Sequence, residues 1–566
     1  MASSLLSYLK LVPSFPQYSG PHKVGTIDVE IPVFALDDPS FVPDGAADIH
    51  TVQFRIFYPA VPDSKGKPIT WLPNPQRLHV GAYAQFLGVG SFAASILSFL
   101  SRNLLYTTIP VHKNAALLLP TVSESGNQRW PTVVFSHGLG GNRNTYSHLV
   151  ASLASYGVIV VCPEHRDGSA AVTLVRDPNN QKPNTPKIWP YQAIPHAFSN
   201  DVWELRNTQL RIRLWELGLG MEALKGIDTK SESIIKSNLN TSTPATALSQ
   251  FSGKMDVQTP GRVIFAGHSF GAVTIVQLLK TTFYASRPEV AAMSSPLFTP
   301  KLGSVIRNQI TERNPTILLD MWCFPLLAAS TAALYSLPLP IYSDKPSAPG
   351  GNALLVIESE TFFKWSEHLH IKARILSLDP TVKVVTREVF ERLGKPKFSE
   401  PHFFYAATSA HLSQSDFGVL FPWLTKKAFG SEQPERILRL NLRAHLQFLR
   451  VNGFKVAPTQ NTDLVDSAAA SEISDDGRLE NDSAILSRAE NGGLVKTWTW
   501  INTIGLGKDA YLSELEMFPP GSSSEHTIPG EDDAEKKMES EIDPSLQSGV
   551  RKPIDDVVKA VVNTTS

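Results

Sequence analysis

A pentapeptide with the pattern Gly-x-Ser-x-Gly, at residues 267–271, lies between an apolar β-branched run and a segment with helical periodicity. At a strand-to-helix turn this pattern forms a nucleophile elbow, in which small flanking residues permit a strained backbone and the serine hydroxyl projects above the sheet. The N-terminus of the following helix stabilises negative charge near that hydroxyl. The sequence therefore predicts Ser269 as the nucleophile of an acyl-transfer reaction.

A serine hydroxyl is a weak nucleophile near neutral pH, so it requires a histidine base that is oriented by a carboxylate. After an elbow of this kind, the acid comes first in the chain and the histidine follows. The candidate histidines are His368, His370, His402, His411 and His445. His411 follows PHFFYAATSA and precedes the polar LSQSDFG, which places it in a loop after a late strand, within reach of Ser269. His402 begins the same run and belongs at the opposite end of that strand, and the other three lie in predicted helices.

Three acidic residues end predicted strands and are candidates for the orienting carboxylate. Asp320 ends PTILLD, whereas Glu358 and Glu360 end NALLVIESE. Both positions lie at the carboxyl ends of strands, where an open α/β sheet carries its ligands, so spacing alone does not choose between them. Asp416, near His411, is a further candidate for this carboxylate, although it could equally be an ordinary turn residue.

The oxyanion of such a reaction requires two backbone amides. Phe270, directly after the nucleophile, is predicted to supply one, and Leu139 in the glycine-rich loop at residues 137–141 the other. This loop does not fit a dinucleotide fingerprint, because Arg143 stands where the third glycine is required. Three aromatic residues are candidate walls of a substrate pocket, with simple core packing as the alternative: Trp322, Phe324 and Trp423.

The elements that position these residues alternate along the chain between Thr51 and Tyr405. Six short apolar runs, separated by helix-like segments, read TVQFRIFYPA, PTVVFSHG, GVIVVCPEH, RVIFAGHS, PTILLD and NALLVIES. Continuous apolar runs of this length are expected when helices cover both faces of a parallel sheet. The predicted fold class is therefore α/β, with a mostly parallel central sheet flanked by helices.

Composition divides the chain into three predicted regions. Residues 1–50 form an N-terminal extension, and residues 51–457 form the catalytic domain, which the amphipathic helix QPERILRLNLRAHLQFLR closes. Within that domain, residues 168–261 are a long insert with a helical middle, either a lid over the site or a surface excursion. Residues 458–566 are rich in Ser, Asp and Glu and are predicted to be a largely disordered acidic tail, with VKTWTWINTIGL as one docking segment.

The overall composition excludes several classes of protein. A net charge of -1 over 566 residues gives no reason to expect nucleic acid as a partner. The two cysteines lie in apolar runs and resemble core residues, and no metal or cofactor is predicted. The N-terminus lacks a basic region before an apolar one, which favours an intracellular, cytoplasmic protein. The apolar stretch at residues 86–100 is too short to span a bilayer, so any membrane contact is predicted to be peripheral.

Four separated blocks of the sequence resemble the platelet-activating factor acetylhydrolase family, in its plasma type and its intracellular relatives. They are FSHGLGGNRNTYSHLVASLASYGVIVVCPEHRDGSA, GHSFGAVT, LLDMWCFPL and SAHLSQSDF. The resemblance extends from about Val52 to Gly453. It implies an α/β-hydrolase fold and a calcium-independent serine esterase that removes a short or oxidised sn-2 acyl group from a phospholipid such as platelet-activating factor.

The resemblance also implies roles for individual residues. Ser269 matches the family's nucleophile, Asp320 its acid and His411 its base, and Leu139 and Phe270 match its oxyanion donors. Val273, where relatives tend to have a smaller residue, and the long insert are departures that bear on pocket size. Two alternatives stand beside this hypothesis: a general carboxylesterase or lipase of the same fold, and a catalytically silent scaffold. The sequence makes no prediction of oligomeric state.

Overall fold

A ten-stranded β-sheet organises the chain. The structure is a computed structural model that describes residues 12–88, 101–120, 129–178, 186–196, 199–391, 398–464, 478–489 and 494–507. The strands are β1 Lys23–Pro32, β2 Thr51–Ala60, β3 Ile69–Thr70, β4 Thr108–Ile109, β5 His112–Lys113, β6 Thr132–Ser136, β7 Ile159–Pro163, β8 Val172–Val175, β9 Lys187–Pro190, β10 Ile264–His268, β11 Thr316–Leu319, β12 Leu354–Ser359, β13 His402–Ala406, β14 Thr459–Gln460, β15 Arg478–Leu479 and β16 Trp498–Trp500.

The α-helices vary from single turns to one helix of 29 residues. They are α1 Gln76–Phe86, α2 Arg102–Leu105, α3 Ser147–Ser155, α4 Asn200–Asp228, α5 Glu232–Lys236, α6 Ala245–Ser249, α7 Phe270–Phe283, α8 Pro288–Ala291, α9 Val305–Gln309, α10 Ala332–Tyr335, α11 Glu360–Lys364, α12 Ser366–Ile375, α13 Arg387–Phe390, α14 Asp416–Leu420, α15 Pro422–Phe429 and α16 Pro434–Val451. None of the described helices is both long and apolar enough to cross a bilayer.

The six central strands, from β7 through β6, β10, β11 and β12 to β13, run parallel to their neighbours. β1 and β2 continue the sheet antiparallel on one side, and β16 pairs antiparallel with β13 on the other. All six runs predicted as strands form strands of this sheet, so the predicted α/β class is confirmed. Parallel strands bring their carboxyl ends to one edge, where the predicted site residues follow β6, β10, β11 and β13.

Each face of the sheet has its own hydrophobic layer. Val134 of β6 belongs to the cluster that includes α4 and α7, whereas Val133 and Phe135 face the cluster that includes α3 and α16. Because successive side chains of a strand point to opposite faces, a strand covered on both sides must be apolar throughout. Each fully buried Val or Phe side chain contributes roughly 1.5–3 kcal/mol, so these layers fix the strand ends that carry the site.

The N-terminal boundary predicted at residue 50 differs from the structure, because β1 lies inside the central sheet and pairs with β2 over ten residues. The sequence of β1, KVGTIDVEIP, contains two acids that break its apolar pattern. One of them, Asp28, forms ion pairs with Arg55 and Arg143. A partly buried carboxylate that is paired by distant residues looks like a surface residue when only the sequence is read.

The C-terminal boundary predicted at residue 457 is also too early. Trp498–Trp500, within the predicted docking segment, forms β16 at the edge of the sheet. The guanidinium of Arg443 in α16 donates two hydrogen bonds, of 2.7 and 2.9 Å, to the buried carboxylate of Asp482. Residues 478–489 and 494–507 therefore contribute to the folded domain. Residues 508–566 of the predicted tail, like residues 89–100 of the apolar stretch, lie outside the described residues.

The helical middle of the predicted insert is α4, and most of its residues are buried. It packs against α7 and β2 and belongs to the core cluster on that face. The helix is therefore a layer of the core, which corrects both alternatives for this part of the insert, the lid and the surface excursion. The sequence of α4 contains many charged residues and so did not indicate a core helix. Several of these charged residues are buried because they form ion pairs with other segments.

Candidate active site

Ser269 occupies a sharp turn between β10 and α7. Its φ of 55° and ψ of -121° lie in a region that costs a non-glycine residue roughly 1–3 kcal/mol. The turn also requires glycine at the end of the motif, because a Cβ on Gly271 would lie 2.1 Å from the Ser136 carbonyl oxygen of β6. The sequence GHSFG therefore folds into the predicted elbow, with Ser269 at the carboxyl edge of the sheet.

Asp320 and His411 meet at the same edge. Asp320 directly follows β11, and its Oδ2 lies 3.1 Å from His411 Nδ1. Its other oxygen, Oδ1, accepts a 2.5 Å hydrogen bond from the Ser359 amide, which fixes the carboxylate. His411 begins a 3-10 turn after β13, and its ring stacks on Phe362 with the centroids 4.4 Å apart. Phe362 was not anticipated from the sequence.

The ring of His411 also lies over the ring of His268, with the centroids 4.3 Å apart, and His268 directly precedes Ser269. The structure thus brings the predicted nucleophile, acid and base to one place. The Ser269 hydroxyl makes no hydrogen bond to another described group. Catalytic hydrogen bonds are often long in unliganded enzymes and tighten when substrate binds.

The acids that spacing left open have other partners. Glu358 lies beside Lys372 Nζ at 2.5 Å, with both side chains fully buried, and burial raises the pKa of Glu358 to about 7. Glu360 pairs with Lys364 on α11. Of the described carboxylates, Asp320 alone is hydrogen-bonded to His411. The structure therefore places Asp320, and neither Glu358 nor Glu360, in hydrogen-bond contact with His411.

Asp416 is neither the orienting acid nor an ordinary turn residue. Its buried carboxylate accepts hydrogen bonds from the Trp71 indole, the Ser147 amide and hydroxyl, and the His148 amide. It thereby caps the N-terminus of α3 and ties that helix to the loop that carries His411. The sequence around Asp416 is typical of a turn and gives no indication of its contact with a helix about 270 positions earlier in the chain.

The four other candidate histidines have structural contacts away from Ser269. His402 lies at the start of β13, at the opposite end of the strand from the loop of His411. His368 Nε2 accepts the Cys323 amide, and His370 Nδ1 accepts an amide from Gly507. His445 Nδ1 lies 2.6 Å from the carbonyl oxygen of Asn441 one turn earlier in α16, as expected for a packing role.

The loop at residues 137–141 runs beside the nucleophile, where a Cβ on Gly138 would lie 3.0 Å from Ser269 Cβ. In this loop the Gly140 amide donates to Ser169 and the Gly141 amide to Gly138. Within the described ranges, the amides of Leu139 and Phe270 donate to no protein acceptor. Phe270 opens α7, and the first amides of a helix have no partner within it. Neither predicted oxyanion donor is therefore used by a hydrogen bond within the described part of the fold, and their role stays a prediction.

A buried bridge links this loop to the elbow. The Gly138 amide donates to Tyr146 Oη at 3.1 Å, and Tyr146 Oη lies 2.7 Å from His268 Nδ1. Since the oxygen of Tyr146 accepts from Gly138, its hydrogen is free to bond to the imidazole. Burial lowers the pKa of His268 well below its usual value, so the ring is neutral. Sequence reasoning missed both residues, although His268 lies within the motif.

Two of the three predicted pocket aromatics lie at the elbow. The Trp322 amide donates to the Ser269 carbonyl, and its ring lies 6.3 Å from Phe270 and 6.4 Å from Phe324, centroid to centroid. Trp423 is about half exposed on α15, beneath Lys427. No contact in the described ranges joins Trp423 to Ser269, Asp320 or His411.

His268, Asp320 and His411 also form the one group among the described residues whose donor atoms converge closely enough for a metal ion, within 4.8 Å of one another. Two imidazoles and one carboxylate resemble a zinc ligand set more than a calcium set, because calcium takes oxygen ligands. In this structure His411 Nδ1 is occupied by Asp320 and His268 Nδ1 by Tyr146.

Comparisons with known proteins agree with this geometry. A sequence profile of the family described as "Platelet-activating factor acetylhydrolase, isoform II" matches residues 10–471. A Schizosaccharomyces pombe protein named "Putative phospholipase A2" is 28% identical over 452 residues, which cover 77% of this chain and 92% of that protein. The platelet-activating factor acetylhydrolase of Cavia porcellus is 29% identical over 268 residues, 47% of this chain and 52% of the relative.

Among solved structures, a ferulic acid esterase from Streptomyces cinnamoneus matches with a TM-score of 0.41 and 15% identity, covering 77% of this chain and 92% of the esterase. The sheet order and the elbow after β10 are those of the α/β-hydrolase fold. Because the family profile spans most of the sequence, the chain belongs to the platelet-activating factor acetylhydrolase, isoform II, family and is a phospholipid ester hydrolase.

Proposed function

We propose that Ser269, Asp320 and His411 are a catalytic triad that hydrolyses the sn-2 ester of phospholipids carrying a short or oxidised acyl group, such as platelet-activating factor. The products are a lysophospholipid and a short acid. The observation that carries this proposal is the 3.1 Å contact between His411 Nδ1 and Asp320 Oδ2, beside a serine held at a positive φ. A histidine oriented by a carboxylate is the base that a serine nucleophile requires.

In the proposed reaction, His411 takes the proton of the Ser269 hydroxyl as the oxygen attacks the ester carbonyl. Asp320 holds the proton on Nδ1, which leaves Nε2 as the base. The amides of Leu139 and Phe270 stabilise the oxyanion, and His411 then protonates the departing lysophospholipid oxygen. A water molecule, deprotonated by His411, attacks the acyl-enzyme and releases the acid.

The name of the Cavia porcellus relative supports an acetyl ester as substrate, and that of the Schizosaccharomyces pombe relative supports a phospholipid. Trp322 and Phe324 are proposed as walls of the acyl pocket because both lie beside the elbow. Calcium has no role in this scheme, since two amides stabilise the charge and Ca²⁺ prefers about six to eight oxygen ligands. Peripheral membrane contact and an intracellular location stay predictions.

The test is hydrolysis of phosphatidylcholines that differ only in the sn-2 acyl group, acetyl or palmitoyl, with a chelator present. Ser269→Ala is compared with wild type and with Ser233→Ala, an exposed serine on α5, as the matched control. We expect selective release of acetate by wild type and the control, with loss in Ser269→Ala. Labelling of Ser269 by a fluorophosphonate should follow the same pattern.

Activity on simple esters alone would favour the general carboxylesterase. Absence of both labelling and hydrolysis would leave only the silent scaffold. Activity that requires added calcium or zinc would refute the metal-independent scheme, since the two backbone amides would then not suffice.

A further inference from the structure

Four arginine side chains of the described chain are almost completely buried: Arg166, Arg206, Arg213 and Arg443. Three of them have a buried carboxylate partner, at 2.9 Å in Glu216, 2.7 Å in Asp167 and 2.7 Å in Asp482, respectively. Arg206 on α4 differs from the other three, since no carboxylate of the described chain lies within ion-pair distance of it. Removing a charge from water is expensive unless a counter-charge compensates it.

The guanidinium of Arg206 is held by neutral acceptors. Nη1 donates to Gln209 Oε1 and Nη2 to the Ile194 carbonyl, each at 2.9 Å. The Tyr191 hydroxyl interacts electrostatically with the guanidinium. The buried Nε has no hydrogen-bond partner. Asp167, the carboxylate that acts on Arg206 at longer range, is hydrogen-bonded to Arg213. The cation therefore keeps an unsatisfied donor, and none of its hydrogen bonds is to a carboxylate.

This charge lies beside two aromatic rings that neighbour the elbow. The central carbon of the guanidinium is 5.3 Å from the centroid of the Trp322 ring and 5.8 Å from that of Phe270. Phe270 follows Ser269 in the chain, and the Trp322 amide donates to the Ser269 carbonyl. The position of Arg206 is thus fixed by two residues that flank the elbow.

Tyr191, which interacts electrostatically with Arg206, lies beside a residue that contacts the loop at residues 137–141, here called the oxyanion loop. Its ring lies 4.8 Å from that of Phe86, centroid to centroid, and Phe86 packs on Gly140 of the oxyanion loop. The positive charge is therefore connected by contacts both to the elbow, through Phe270 and Trp322, and to the oxyanion loop, through Tyr191 and Phe86. An anion bound there would be close to an ester on Ser269.

We propose that Arg206 binds the phosphodiester of the phospholipid substrate. This inference rests on the proposed function, in which the phosphate is attached to the glycerol carbon next to the sn-2 ester. The planar fork of arginine matches two phosphate oxygens, and a charged acceptor makes a stronger hydrogen bond than a carbonyl. Phosphate would displace the Ile194 carbonyl, which lies in a segment without regular structure.

The test compares Arg206→Gln with Arg211→Gln on two substrates, sn-2 acetyl phosphatidylcholine and the phosphate-free p-nitrophenyl acetate. Arg211 lies on the same helix and pairs with Glu204 at its surface, so it controls for the loss of a positive charge. We expect Arg206→Gln to lower kcat/KM for the phospholipid roughly 10- to 100-fold, chiefly through KM. Hydrolysis of p-nitrophenyl acetate should change less than about twofold, and Arg211→Gln should leave both activities unchanged.

An equal loss on both substrates would assign Arg206 a purely structural role, and no loss on either would also overturn the proposal. If Arg206→Gln does not fold, wild type alone decides, through inhibition of p-nitrophenyl acetate hydrolysis by glycerophosphocholine and by glycerol. Stronger inhibition by glycerophosphocholine supports the phosphate site, and equal inhibition refutes it. A wild type that hydrolyses p-nitrophenyl acetate but no phospholipid refutes the proposed substrate separately.

Discussion

The Arg213–Asp167 ion pair holds the loop that presents the Leu139 amide. Arg213 Nε donates to Asp167 Oδ2 and Nη1 to the His137 carbonyl, both at 2.7 Å, and Nη2 to Ser169 Oγ at 2.5 Å. Ser169 in turn accepts the Gly140 amide at 2.7 Å. One buried guanidinium therefore fixes both ends of the oxyanion loop, and its removal should affect stability and catalysis in separable ways.

Arg213→Met keeps a long apolar stem but removes these three donors. Breaking a buried ion pair by deleting one partner costs about 3–5 kcal/mol, because the remaining charge is uncompensated. Asp167 would retain only the amide and hydroxyl of Ser169 as donors. The His137 carbonyl would lose its donor, so the Leu139 amide would shift. Loss of one oxyanion donor lowers kcat by roughly 10²–10³.

A double-mutant cycle with Asp167→Asn separates the two effects. Urea unfolding should show that Arg213→Met/Asp167→Asn is less destabilised than the sum of the single variants by about 1–3 kcal/mol, since the second change removes the orphaned charge. The kcat for p-nitrophenyl acetate should not recover, because the His137 carbonyl still lacks its donor. Arg211→Met, on the same helix, is the matched control.

A recovery of kcat together with stability in the double variant would show that the ion pair acts only on the fold. An Arg213→Met enzyme with kcat within about threefold of wild type would refute the link between this residue and the oxyanion loop, given the loss expected for a missing donor. A stability loss below about 1 kcal/mol would instead contradict the energetic argument for a buried pair.

Three further outcomes follow from the same contacts. Asp320→Asn should lower kcat about 10⁴-fold. Glu358→Gln should instead lower the free energy of unfolding of the protein by about 3–5 kcal/mol and leave kcat largely unchanged. Comparable losses of kcat in the two variants would contradict the assignment of Asp320 as the acid. Asp416→Ala leaves four buried donors unsatisfied and should lower the free energy of unfolding in urea by roughly 3–6 kcal/mol; an unchanged midpoint refutes the capping role. Burial lowers the pKa of His445 to about 4. Between about pH 6.5 and 4, therefore, this histidine takes up a proton only in the unfolded chain, and the free energy of unfolding decreases as the pH falls. The His445→Gln variant should lack this decrease, which is about 1.4 kcal/mol per pH unit; parallel pH profiles of the unfolding free energy for wild type and variant would contradict the effect of His445.

The sequence was sufficient for the central strands and the elbow because their signals are local. Continuous apolar runs mark strands buried on both faces, and the elbow of Ser269 needs only five adjacent residues. His411 was distinguished from His402 by its position relative to one apolar run. The choice of Asp320 over Glu358 was not local: it depended on the resemblance to a family, and in the structure on a partner 91 positions away.

The buried charged residues and the true domain boundaries could not be predicted from the sequence, because their stability depends on contacts with distant segments. Asp28 in β1 and Asp416 near His411 look like surface residues in the sequence, yet contacts with other segments partly bury Asp28 and fully bury Asp416. Likewise, β16 is only three residues long, and it is tied to a distant segment by the hydrogen bond from the Trp498 indole to the Ile485 carbonyl. No periodicity reveals such pairs, so the domain boundaries placed by composition were too narrow at both ends.

Buried charge therefore carries information about function only after its partners are known. A polar residue in α4 is ambiguous in the sequence, since Arg206 and Arg213 lie seven positions apart on the same helix and have the same chemistry. The structure separates them: Arg213 is neutralised by Asp167 within the fold, and Arg206 is not. A buried cation without a counter-charge destabilises the protein, and a bound ligand can supply that counter-charge. The neutral acceptors around Arg206 thus point to an anionic group of the substrate as its partner.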